Sequence, residues 1–87
     1  MTLVSENIDQ QIEQVFANLN QVLLASSSSL DDIIKLNVYL TNLENFSKVN
    51  ERMEKIFNKP YPARAAIGIK DLPKGSLIEV DAIALAK

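Results

Sequence analysis

An α+β fold, with two amphipathic helices lying on one face of a small mixed sheet, follows from three features of this 87-residue sequence. Apolar residues recur at helical spacing in two stretches, and they alternate with polar residues in three others. The stretches run helix, strand, helix, strand, strand, each bounded by capping, serine, proline or glycine signals. The length fits a single domain spanning residues 1–87.

The first helix is predicted from Glu6 to Ala25. Ile8, Ile12, Val15, Phe16, Leu19, Val22 and Leu23 form its apolar stripe, and Gln10, Gln11, Gln14, Asn18 and Gln21 its solvated face. Ser5 is the expected N-cap, with Glu6 and Asp9 in the first turn where the helix dipole favours acids. Ser26–Ser29 reads as a loop, and Ser29 with Asp32 resembles a capping box opening one further turn. Ile33–Leu40 alternates as a strand, with Ile34, Leu36, Val38 and Leu40 on one face and Lys35, Asn37 and Tyr39 on the other. Thr41–Glu44 forms a second capping box, opening a helix from Asn42 to Phe57 that buries Leu43, Phe46, Val49, Met53, Ile56 and Phe57. Pro60 and Pro62 stop it. Strands over Ala63–Lys70 and Leu77–Ala86 follow, separated by the turn residues Asp71–Ser76.

Three strands are few for two helices to cover. The sheet keeps exposed edges and one incompletely covered face, which argues for partner subunits. Composition narrows the chemistry. The net charge is −2 and the basic residues are scattered, which is not the footprint of a nucleic-acid binder. There is no Cys and no His, so disulfides, thiolate nucleophiles, Ser-His-Asp catalysis and the usual zinc ligand sets are excluded; no metal is expected. No signal peptide and no apolar run of membrane-spanning length is visible, so the expected location is cytoplasmic, or organellar where a targeting segment is cleaved.

Two positions stand out. Arg64 lies among small and apolar residues with no acid or amide beside it in sequence, and its planar fork matches a carboxylate; the alternative is a rim arginine whose stem packs on the sheet. Glu79 and Asp81 share a strand face with Leu77, Ile83 and Leu85. A carboxylate there serves as a general acid or base, or else as an edge charge or inter-subunit ion-pair partner. Tyr61, between two prolines, is a stiffly held aromatic near Arg64. Tyr39 reads as a pocket wall or interface residue, and Asn50 as a hydrogen-bonding anchor to a loop.

The stretch Pro62-Ala63-Arg64-Ala65-Ala66-Ile67-Gly68-Ile69-Lys70-Asp71-Leu72-Pro73-Lys74-Gly75-Ser76-Leu77-Ile78-Glu79-Val80 closely resembles the C-terminal signature of the Rid/YjgF family. Ser29–Lys35 and the stretch from Val38 to Asn50 resemble that family's strand and second helix. The resemblance implies a chorismate-mutase-like α+β fold and a homotrimer with sites in clefts between subunits. It implies hydrolysis of enamine and imine acids, such as 2-aminoacrylate, to 2-keto acids and ammonia, without a cofactor. Arg64 matches the arginine that holds the substrate carboxylate, Ala66 the position whose backbone contacts substrate, and Glu79 the glutamate that positions or activates water. Tyr61 is expected beside the substrate. The family's additional N-terminal strands are missing from the match, so an incomplete pocket and impaired activity are expected. The rival readings are a non-catalytic carboxylate-binding or regulatory member, an endoribonuclease or translation inhibitor, and a structural oligomerising domain. The charge and the lack of His count against the ribonuclease.

Overall fold

The computed structural model describes residues 7–59 and 61–85. Its elements are α1 (Ile8–Ala25), β1 (Ile33–Leu40), α2 (Phe46–Ile56), β2 (Ala63–Gly68) and β3 (Ile78–Ala84), with short 3-10 turns before β1, α2 and β3. The α-β-α-β-β order matches the pattern read from the sequence. The expected N-cap Ser5 and the first-turn Glu6 lie outside the described residues. Asn7 caps α1 instead, its side-chain oxygen accepting from the N–H groups of Asp9 at 2.9 Å and Gln10 at 3.2 Å. Asn is among the strongest N-caps because its short side chain reaches these orphan donors.

The helix ends in a Schellman motif. The Ser28 N–H donates to Leu23 O at 2.8 Å and the Ser27 N–H to Leu24 O at 3.1 Å. This requires Ser27 to be left-handed, at φ 60, a conformation that suits glycine. Ser27→Gly should therefore raise stability by about 0.5–1 kcal/mol, because relief of left-handed strain exceeds the entropy glycine adds to the unfolded chain. An increased urea midpoint at unchanged slope checks it. Ser28 is buried, with its hydroxyl 2.9 Å from Leu85 O, so the serine run fastens α1 to the end of β3.

The sheet order is β2-β1-β3, with β1 parallel to β2 and antiparallel to β3. A parallel pair needs a crossover, and α2 supplies it. Leu36, Val38 and Leu40 of the central strand are fully buried beneath both helices. They meet Ile12, Phe16 and Leu23 of α1 and Val49 and Met53 of α2 in one apolar cluster. Phe16 and Phe57 close it edge to face, with ring centroids 6.2 Å apart.

Four details differ from the sequence pattern. A bulge in β1 sets two residues against one on β3, so Ile33 enters the core and Ile34, expected there, is 50% exposed. Gln11, assigned to the solvated face of α1, is buried, and its side-chain oxygen accepts from the Leu77 N–H at 2.8 Å. It satisfies a backbone donor at the entrance to β3 that the ladder does not reach. Asn42, not Thr41, caps a 3-10 turn over Leu43–Asn45, accepting from the Glu44 N–H at 3.0 Å, and α2 starts only after that turn, at Phe46, with Asn45 as its N-cap. Leu43 is consequently 53% exposed, although its side chain lies over Gly68.

β2 stops at Gly68, short of Lys70, and β3 spans Ile78–Ala84; Ala86 lies outside the described residues. The outer edges of β2 and β3 pair with no strand among the described residues. Beyond β3, Val15, Leu19 and Val22 of α1 overhang a groove of about 410 Å³ whose other wall includes Ile78 and Val80. No described helix is long and apolar enough to cross a membrane.

Candidate functional site

Register decides which side chains share a face. Arg64, Ala66 and Gly68 lie opposite Leu36, Val38 and Leu40, on the helix-covered side. Glu79 and Asp81 lie opposite Tyr39 and Asn37, on the open side. Arg64 is thus at one edge of the sheet and Glu79 at the other, on opposite faces. β1 lies between their strands, and their partners on it are three residues apart. Strand spacing puts their backbones about 10 Å apart across the sheet and about 10 Å along it. The two residues do not converge within one chain.

Around Arg64, the proline-rich loop after α2 brings Tyr61 alongside. Arg64, Tyr61, Pro62, Asn50, Met53 and Glu54 line a depression of about 210 Å³ at the free edge of β2. Tyr61 is 46% exposed there. The Arg64 guanidinium carbon sits 5.2 Å from the centroid of the Phe46 ring, within cation–π range. No ion pair or hydrogen bond with the described residues engages Arg64, so its fork is free to take a ligand. Among the described residues Asn50 bonds within its own helix rather than to a loop: its amide donates to Glu54 one turn along α2 at 3.3 Å. Ala66 is exposed and adds no side chain that would crowd the edge.

Across the sheet, the two carboxylates of β3 have different surroundings. Asp81 accepts from the Asn37 amide at 2.8 Å and from the Tyr39 hydroxyl at 2.8 Å. The hydrogen bond to Asp81, then desolvation, then the Asp81 and Glu79 charges hold the Tyr39 phenol above its usual range. Asp81 is therefore committed to bracing β1 against β3. Glu79 has no hydrogen bond or ion pair with the described residues, and it contributes to the wall of the groove beside α1. Of the two, Glu79 is the carboxylate left free for a reacting group.

Two features were not legible from spacing. Phe46 was read only as part of the apolar stripe of the second helix, because nothing local links it to Arg64, 18 positions away. The Asp81–Tyr39–Asn37 brace depends on strand register, which the sequence does not specify for this pair.

The profile of the Endoribonuclease L-PSP family matches residues 1–86. A 2-iminobutanoate/2-iminopropanoate deaminase of Dermatophagoides farinae is 32% identical over 93% of this chain and 63% of its own length. RidA of an Antarctic Psychrobacter superposes with TM-score 0.90 at 40% identity, over 94% of this chain and 67% of that one. Escherichia coli TdcF, solved with bound serine, superposes with TM-score 0.89 at 28% identity, over 98% of this chain and 69% of that one. The chain spans between 58% and 68% of the length of four curated relatives that it matches.

Proposed function

The chain belongs to the Endoribonuclease L-PSP (Rid/YjgF) family, and from that premise we propose that it hydrolyses small imine and enamine acids to 2-keto acids and ammonia. The observation that carries this reading is the guanidinium of Arg64, unpaired among the described residues and held at an open sheet edge beside an aromatic. It is a cation fitted to a small carboxylate. Arg64 binds the substrate carboxylate, Tyr61 flanks it, and the backbone at Ala66 borders it. Glu79 takes a proton from water as the water adds to the C=N carbon. The imine nitrogen gains a proton as the carbinolamine forms; Glu79 then passes its proton to that nitrogen, the C–N bond breaks with release of ammonia, and the hydroxyl gives up its proton as the carbon becomes a keto group.

A site using both Arg64 and Glu79 must be assembled from two copies, Arg64 from one and Glu79 from the next. The free edges and the open sheet face favour that association, and a homotrimer with shared clefts is the arrangement we propose. The deaminase named among the relatives and the serine bound to TdcF support a small amino- or imino-acid ligand.

The separation of Arg64 from Glu79 also favours a second reading, carboxylate binding without turnover. The test is ammonia release from 2-aminoacrylate generated in situ by a dehydratase, with Arg64→Ala measured beside wild type. Acceleration abolished by the substitution supports the deaminase. Binding of a 2-keto acid with no acceleration supports the second reading.

A further inference from the structure

We propose that Phe46 is a positioning residue for Arg64, holding the guanidinium so that its N–H fork is presented outward to the carboxylate of a ligand; the inference rests on the carboxylate-binding reading of Arg64. A long arginine on an edge strand samples many rotamers, and ordering it on binding weakens affinity. A fixed aromatic platform removes part of that cost. A ring under the guanidinium uses its π-face and leaves its N–H groups unspent.

The approach is built into the helix-facing side of β2. Ala66 and Gly68 are the two positions beyond Arg64 on that side, and both are small. They let the start of the second helix lie close against the edge strand. Leu43 covers Gly68 so closely that a β-carbon there would meet its side chain at 3.1 Å. Three residues on, Phe46 opens α2 and reaches Arg64, the ring 5.2 Å from its charge. Phe46 is itself half-buried and packed against the core cluster, so the platform is fixed while Arg64 is exposed. Only Phe46 among the described residues engages the guanidinium.

The test uses the whole chain with 2-oxobutanoate as probe. Binding is titrated for wild type, Arg64→Ala, Phe46→Leu and Phe46→Tyr, with Phe16→Leu as a packing control far from Arg64. Arg64 N–H resonances are followed by NMR. In wild type they should carry an upfield ring-current shift that Phe46→Leu removes and Phe46→Tyr keeps. Phe46→Leu should bind about two- to fivefold more weakly, while Phe46→Tyr and Phe16→Leu stay near wild type. Equal weakening by the leucine and tyrosine variants, or no ring-current shift, overturns the proposal by reducing Phe46 to a packing residue. Affinity lost in Arg64→Ala but intact in Phe46→Leu overturns it while leaving the carboxylate reading standing. Binding that Arg64→Ala does not weaken sinks the carboxylate reading itself, and the role of Phe46 with it.

Discussion

Arg64→Ala and Glu79→Gln chains, each almost inactive alone, should regain about a quarter of wild-type ammonia release when mixed and reassembled. The separate losses are large. Removing the fork leaves a carboxylate without its charge-assisted hydrogen bonds, about 2–4 kcal/mol or roughly 30- to 1,000-fold in kcat/KM. Replacing a general base costs about 10²- to 10⁴-fold. Recovery depends on where the two side chains meet. Arg64 and Glu79 occupy opposite edges and opposite faces of the sheet, so the cleft proposed above, which uses both, would take one from each of two copies. An Arg64→Ala chain still supplies Glu79, and a Glu79→Gln chain still supplies Arg64. With random mixing, half of the clefts draw Arg64 from an intact source and half of those draw Glu79 from one, which gives the quarter. The measurement is activity against mixing ratio, with mixed assembly verified by mass. Mixed oligomers that stay inactive would show that the two residues are not shared between subunits, and the two-copy cleft would have to be abandoned.

Leu36→Ala should destabilise the fold by about 3–5 kcal/mol, while Ile34→Ala, two residues earlier on the same strand, should cost less than about 1 kcal/mol. Leu36 is fully buried at the centre of the sheet, between Arg64 of β2 and Ala82 of β3, and beneath both helices. Truncating it loses the transfer free energy of the side chain and leaves a void that the central strand cannot close. A chain of this length has a total stability of about 4–13 kcal/mol at roughly 0.05–0.15 kcal/mol per residue, so the loss approaches the whole margin. Ile34 is half exposed because the bulge turns it out of the core. Equilibrium urea unfolding of both variants separates the cases, and equal losses would contradict the bulge.

The elements were legible because each depends on a local period. The stripe from Ile8 to Leu23, the alternation around Val38 and the stop at Pro62 needed only nearest neighbours to be read. Boundaries and individual assignments failed where a long-range contact intervened. Gln11 looked solvated by its helical position and is buried because Leu77, 66 residues away, needed an acceptor. Ile34 fitted the alternation and lost its place to Ile33 because β3 has one residue fewer than β1 there.

The chemistry divides in the same way. Arg64, Glu79, Ala66 and Tyr61 were picked out from their residue types and from the family signature, since an isolated guanidinium among apolar residues and an acid on an apolar strand face are visible in one dimension. The sequence by itself determined the α+β class, the order of its elements, the absence of His and Cys chemistry, and these candidate residues. Only the tertiary structure decided that Arg64 and Glu79 stand apart, that Asp81 is committed to Tyr39 and Asn37, and that Phe46 lies against Arg64. Register and helix placement are set by how the whole apolar surface packs, and a residue's face follows from that packing, which no local stretch of sequence contains.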